Sequence, residues 1–346
     1  MEPLAEYTRK RIFKITPETD IPLMGCIAFG LIDRGTNLIQ VRPVTTCPLS
    51  CIFCATDAGP RSRNRQTEYI VELDYLVEEF RKLVMFKGPK KIEAHIDTVG
   101  DPLTYPRIVE LVQELSETPG VDVISLQTHG VLLTEKLVDE LDAAGLSRIN
   151  LSIDSLDPDL AKYLSNTPSY NLDKVLGIAE YIANSSGIDL LIAPVWVPGI
   201  NDSEIPKIIE FALRIGAGKR WPPLGIQKYI PHKRGRKPKN VKAMSWSRFY
   251  KQLRIWEKKY GVKLILKPED FGIHRRKSLK APFKIGEVVR ATVVAPGWLK
   301  NEVIGRAKGF CITIVNATIE EIPIGTDVFV KIEKTKHNIL IGKLAR

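Results

Sequence analysis

Three cysteines within eight positions are the feature of this sequence most able to do chemistry. The segment reads Thr46-Cys47-Pro48-Leu49-Ser50-Cys51-Ile52-Phe53-Cys54, a C-x3-C-x2-C spacing. The chain has five cysteines, an odd and crowded set that makes a poor disulfide framework. Thiolates spaced this closely suit a metal ion or an iron–sulfur cluster. Each iron of a cubane cluster is normally held by one thiolate, so three thiolates leave one iron open. A closed zinc site needs four ligands, commonly two spaced pairs. No second pair is present, although three thiolates with His95 or His129 would also make a zinc site. Cys26 and Cys311 stand alone and read as small buried residues.

The elements that must position these thiolates alternate in type. Strands are expected at 37–44, 91–97, 121–128, 148–154, 188–196 and 224–230. Helices are expected at 70–86, 105–117, from a Thr134 cap to Ala144, at 171–185, at 203–216 and from Ser245 to Tyr260. Six β–α units in a row imply a parallel sheet covered by helices, either open or curled into a barrel. The cysteines follow its first strand directly. A strand covered by helices on both faces is apolar throughout. Here Glu93, His95 and Asp97 alternate with apolar neighbours, as do Ser125, Gln127 and His129, and Asn150, Ser152 and Asp154. One face of the sheet therefore lines something hydrated or reactive. Glu93, His95, Gln127, His129 and Tyr229 are the candidates on that face for acting on a substrate, with Gln227 beside them.

An N-terminal extension over 1–36 contains most of an expected hairpin, Gly25–Gln40, turning at Asp33-Arg34-Gly35. The α/β region runs over 37–270. Beyond Lys280 the pattern changes to short strands broken by Gly and Pro, which reads as a small all-β barrel of about five strands over 281–346.

The formal charge of +11 is uneven: residues 228–280 hold 18 Lys/Arg against 3 Asp/Glu, whereas residues 1–227 hold 23 against 31. Such asymmetry points to a local surface for a polyanion, or to a solvated charged face. The candidate contacts are Lys233, Arg234, Arg236, Lys237 and Lys239 in one stretch and Arg275, Arg276 and Lys277 in another. Trp246, Phe249, Tyr250, Leu253 and Trp256 fall at helical spacing, which assigns them to core packing. Arg61, Arg63 and Arg65 follow the cysteines and would meet a cofactor, phosphates or water. Hydrophobic content of 44% and charged content of 26% are ordinary for a folded soluble protein. No apolar run reaches membrane-spanning length, and Met1–Lys14 lacks the apolar middle of a signal peptide, so a cytoplasmic location is expected.

The C-x3-C-x2-C triplet with Phe53 before its last cysteine resembles the signature of the radical S-adenosylmethionine (SAM) superfamily. Residues 37–230 resemble that family's partial (β/α)6 barrel. The resemblance implies that Cys47, Cys51 and Cys54 hold a [4Fe-4S] cluster whose open iron chelates the amino and carboxylate groups of SAM. One electron, from a donor such as a ferredoxin or flavodoxin, then cleaves SAM to methionine and a 5′-deoxyadenosyl radical that abstracts hydrogen from a substrate. It also implies SAM contacts at Phe53, at Gly100 and Asp101 (where the family more often has Glu), at Ser152 and Asp154, and at Pro198 and Gly199. Too few cysteines remain for a second cluster. Residues 281–346 resemble a TRAM domain, an OB-like RNA-binding barrel, through Phe283-Lys284-Ile285-Gly286-Glu287-Val288 and Pro323-Ile324-Gly325-Thr326-Asp327-Val328. The expectation is a radical SAM enzyme that modifies a nucleotide of structured RNA, tRNA first, by methylation or another C–H functionalisation. Two readings stay open beside it. One is an enzyme acting on a small anionic metabolite or a protein, with the barrel serving assembly; the other is a non-enzymatic RNA-binding protein.

Overall fold

The computed structural model describes residues 11–345, so the part of the Met1–Lys14 reading that precedes Arg11 lies outside the described residues. Strand β1 (Arg11–Ile15) pairs in parallel with β4 (Thr67–Val71), apart from the main sheet. The expected hairpin is present as β2 (Gly30–Asp33) and β3 (Leu38–Arg42), paired antiparallel. Asp33 closes its turn by accepting from the Gly35 amide at 2.8 Å. The same carboxylate meets Lys87 Nζ at 2.7 Å and the Leu279 amide at 2.8 Å, so three segments meet at one buried acid.

The main sheet continues from β3 through β5 (Ile92–Ile96), β6 (Val121–Thr128), β7 (Arg148–Leu151) and β8 (Asp189–Ile192), all parallel. Helices α1 (Leu73–Lys87), α2 (Ile108–Ser116), α3 (Glu135–Ala143), α4 (Pro158–Ser165) and α5 (Leu172–Ser185) fill the connections. In α1 the buried residues Leu73, Leu76, Val77, Phe80, Leu83 and Val84 follow the three-to-four spacing of a helix that faces a core on one side. Thr134 caps α3 as the sequence indicates, accepting from the Leu137 amide at 3.1 Å.

Beyond β8 the regular ladder gives out. Strand β9 (Val195–Trp196) precedes α6 (Glu204–Arg214) and pairs with β10 (Gln227–Lys228), and Leu224 bridges Ile192 in parallel. The strand expected over 224–230 is thus shorter. Gly225, Gln227 and Tyr229 still donate to the carbonyls of Ile192, Pro194 and Trp196, but Pro194 has no N–H to return the bond between β8 and β9. Helix α7 (Trp246–Tyr260) follows, capped by Ser245.

Strands β11 (Val288–Pro296), β12 (Glu302–Ala307), β13 (Phe310–Val315), β14 (Asp327–Lys334) and β15 (Ile341–Leu344) close a barrel in the order β11-β12-β13-β15-β14. Backbone hydrogen bonds fasten this barrel to the rest of the chain: Cys311 N to Met24 O at 2.7 Å, Leu340 N to Gly25 O at 2.9 Å and Lys300 N to Asn64 O at 2.8 Å. Gly25 has φ +111, and a Cβ there would fall 2.0 Å from Cys311 O, so only glycine lets the two backbones meet. Cys26 and Cys311 are both buried at this junction, in line with their reading as small buried residues.

Candidate active site

The carboxyl ends of the parallel strands open on a cavity of about 470 Å³, the place where open α/β sheets bind ligands. Cys47, Cys51 and Cys54 form part of its wall. Their loop is held from three sides. From below, Gly100 lies so close that a Cβ would fall 2.1 Å from Thr46 O, and the Asp101 amide donates to that carbonyl at 2.8 Å. From one flank, Ser50 N and Ile52 N donate to Ser165 O and Leu164 O at the end of α4, at 3.1 and 2.9 Å. From the other, Arg236 donates through Nε to Cys51 O at 2.7 Å and through Nη2 to Ala58 O at 2.6 Å, and pairs with Asp57 at 2.8 Å. Its own amide donates to Cys54 O at 2.8 Å.

Arg65 completes the support. It is 2% exposed, pairs with Glu68 at 3.1 Å, and donates to the carbonyl of Thr45 at 2.7 Å and to that of Thr56 at 3.1 Å. Its guanidinium lies 4.9 Å from the ring centre of Trp298, a residue of the C-terminal barrel. By sequence Arg65 belongs with the residues for cofactor, phosphate or water, and nothing in its spacing signals that it points inward. Asp57 also holds this loop, and no sequence signal singles it out. It holds a left-handed φ of 52 and accepts from the amides of Arg63 and Asn64 at 2.8 Å each.

The three thiols fit a cluster. Burial, then the charge of Asp101, pushes Cys47 up to about 12. Burial, then the neighbouring cysteines, pushes Cys51 well above the ordinary thiol range. Cys47 and Cys51, so buried, ionise against cationic metal, and irons supply that charge. The Ala58 amide already donates to Cys54 Sγ at 3.2 Å, a bond suited to a thiolate. Among the described residues no set of three or more His, Cys, Asp or Glu side chains is gathered as for a single metal ion. Cubane ligands belong to separate irons and need no such gathering.

Of the residues expected to act on a substrate, His95, Gln127, His129 and Tyr229 line this cavity. His129 Nε2 is 3.9 Å from Cys51 Sγ. Gln127 Nε2 donates to Ser152 Oγ at 3.0 Å. His95 has a defined tautomer. Ser125 Oγ donates its one hydrogen to Glu93 Oε1 at 2.7 Å, so it accepts from His95 Nδ1 at 2.7 Å. Nε2 is then left as an acceptor, and burial lowers the His95 pKa and keeps the ring neutral. Glu93 stands apart from the other four. It pairs with Arg148 at 2.7 Å, is 2% exposed, and borders a different cavity of about 450 Å³ at the amino ends of the strands. Its role in this geometry is to orient Ser125 and, through it, His95.

Of the residues expected at SAM, Phe53, Gly100 and Ser152 line the cavity, and Asp101, Asp154, Pro198 and Gly199 do not. Asp101 is 1% exposed and its carboxylate accepts from Thr128 Oγ1, at 2.9 Å, and from the Leu103 and His129 amides, at 3.1 Å each. Burial raises the Asp154 pKa, and its Oδ1 accepts from the Val195 amide at 2.8 Å. The turn with Pro198 and Gly199 is wired internally: Asp202 accepts from Trp196 Nε1 at 2.6 Å and from the Gly199 amide at 2.5 Å.

The cations expected at a polyanion separate into two places. Lys233, Lys237 and Lys239 are exposed near the cluster loop, whereas Arg236 is bound into that loop and Arg234 pairs with Glu302 of the barrel. Arg275, Arg276 and Lys277 lie at the far end of the sheet. The Arg276 amide donates to Gly35 O at 3.0 Å and its Nη2 to Lys90 O at 2.5 Å, and Lys277 Nζ lies 4.1 Å from the Phe86 ring centre.

Comparison with known proteins agrees with this geometry. The family model of the radical SAM superfamily matches residues 41–212. The chain is 46% identical to an uncharacterized protein, MJ0103, of Methanocaldococcus jannaschii, over 97% of this chain and 81% of that protein. It is 37% identical to a GTP 3',8-cyclase of Peptoclostridium acidaminophilum over 182 residues, so the match spans 52% of this chain and 53% of the cyclase. In fold it is similar to Streptococcus suis SuiB bound to S-adenosylmethionine, with a TM-score of 0.50 and 16% identity over 72% of this chain and 51% of that one. No helix of the described residues is long and apolar enough to cross a membrane. The chain belongs to the radical SAM superfamily, an enzyme family whose cofactors are a [4Fe-4S] cluster and SAM.

Proposed function

We propose that this enzyme modifies a nucleotide of structured RNA, tRNA first, by methylation or another functionalisation of a C–H bond. The observation that carries the reading is a second cleft, of about 640 Å³, on the outer side of the cluster loop. Arg61, Arg63, Lys237 and Lys239 border it. Arg61 is hydrogen-bonded to Asn166, and the other three have no carboxylate partner among the described residues. The one acid on its wall, Asp57, is already paired with Arg236. Unpaired cations around a cleft suit phosphates, whose neutralisation releases counterions. A polynucleotide held there lies beside the loop that carries Cys51 and Cys54.

Cys47, Cys51 and Cys54 hold the cluster, and Phe53, Gly100 and Ser152 shape the SAM side of the cavity. When bound, the two cofactors supply one-electron cleavage of SAM and hydrogen-atom abstraction from the substrate. His95 offers an unprotonated Nε2 to a donor on the substrate, and Gln127 and Tyr229 add hydrogen-bonding groups. In this reading the sheet is the family's partial (β/α)6 barrel and the C-terminal barrel is a TRAM-like module. A low-potential ferredoxin or flavodoxin is the electron donor. Mass spectrometry of tRNA and rRNA nucleosides from cells with and without the gene tests the proposal. Loss of one modified nucleoside supports it, and identical nucleoside profiles contradict it.

The likeness to GTP 3',8-cyclases favours one other reading, a free nucleotide as substrate. It is separated from the first by incubating the reduced holoenzyme and SAM with GTP and with tRNA, and asking which one is consumed.

A further inference from the structure

Helix α7 buries Phe249, Leu253 and Trp256, the first and last against Trp196 of β9, but leaves Trp246 51% and Tyr250 38% exposed. The two exposed rings are stacked, with centroids 5.7 Å apart and planes 22° from parallel. Lys228 joins this pair to the active site: it lines the cavity, and its Nζ lies 4.8 Å from the Trp246 ring centre. Charge on the helix is one-sided. Arg248, Lys251, Arg254 and Lys258 have no acidic partner among the described residues. Glu257, the one acid of the helix, is turned to the amides of Leu264 and Ile265, which it accepts at 2.8 Å each.

We propose that Trp246 and Tyr250 form a stacking platform for an unpaired RNA base flanking the nucleotide that enters the cavity. The inference rests on the RNA reading above and goes beyond it by naming a base-binding site. Flat aromatic faces beside unpaired cations complement a nucleobase and its phosphates, and stacking tolerates any base. A duplex hides its base faces, so the platform serves a loop or a single-stranded segment. Lys228, spanning from platform to cavity, sets the two sites one side chain apart.

The test uses the reconstituted full chain and fluorescence anisotropy with a labelled oligouridine strand and a labelled RNA duplex. The double substitution Trp246→Ala with Tyr250→Ala is expected to weaken single-strand binding about tenfold, the weight of one stacked base. Duplex binding and the cluster absorbance stay as in the wild type. Trp246→Phe with Tyr250→Phe retains most of the affinity. Unchanged single-strand binding, or an equal loss on both probes, would overturn the platform while leaving the RNA reading standing. Failure of the wild-type protein to bind either RNA would remove the reading and the platform together. A wild-type dimer that the alanine variant dissolves, seen by sedimentation, would overturn the platform and assign the rings to a contact between chains.

Discussion

Residues 233–239 and 275–277 are built from the same residue types, and the fold puts them at opposite ends of the sheet. In the first stretch Arg236 is bonded into the cluster loop while Lys233, Lys237 and Lys239 face outward beside it. In the second, Arg276 is bonded to backbone carbonyls and Lys277 covers a phenylalanine ring. Net charge alone therefore does not tell which cations the chain leaves open. What separates them is whether the chain already satisfies them, and whether they border a cleft near the chemistry.

The largest expected effect sharpens the inward side of that contrast. Arg65→Met removes the cation paired with a buried carboxylate, Glu68, and frees two carbonyls of the cluster loop. Breaking a buried pair from one side costs about 3–5 kcal/mol. Chemical denaturation of the reconstituted protein should show a loss of that order, together with incomplete cluster incorporation. Arg65→Lys should recover only part of it, because lysine cannot bridge several acceptors in one plane.

Next comes the outward side. Glutamate at Lys233, Lys237 and Lys239 should weaken tRNA binding at least tenfold and reduce the salt slope by about three, one unit for each phosphate left unneutralised. Glutamate at Arg275 and Lys277 should change both far less. Equal losses from the two sets would break the comparison, since they would make general charge the cause.

The smallest effect concerns His95. Burial holds its pKa below the ordinary 6.5, so the folded state keeps the ring neutral while the unfolded chain takes up a proton near that pH. The associated stability is present above 6.5 and is lost as pH falls from there toward the lower folded value. Denaturation of His95→Asn between about pH 7 and pH 5 should show a shallower decline than the wild type. A decline as steep as the wild type would place the pH dependence elsewhere.

Much of this was legible in the chain. The cysteine spacing, the hairpin at Asp33-Arg34-Gly35, the Thr134 cap and the polar face through His95 and Gln127 rest on local chemistry and on strand alternation, which sequence carries. Direction at element ends is not carried that way. Arg65 points inward because Glu68 and two loop carbonyls lie there, and Arg63, two residues before it, borders the outer cleft. Asp101 sits on the expected turn, but Thr128 and two amides draw its carboxylate away from the cavity. The aromatic residues of α7 share a helical spacing that spans too wide an arc for one face, so Phe249, Leu253 and Trp256 go in while Trp246 and Tyr250 remain at its edge.

All of this depends on one cluster at Cys47, Cys51 and Cys54. Anaerobic reconstitution with iron and sulfide, followed by metal analysis and by assay for 5′-deoxyadenosine under reductant, tests it most directly. About four irons per chain and SAM cleavage are expected in the wild type, with both lost on replacing any one of the three cysteines with alanine. One bound zinc, a second cluster's worth of iron, or SAM cleavage that survives Cys51→Ala would contradict it.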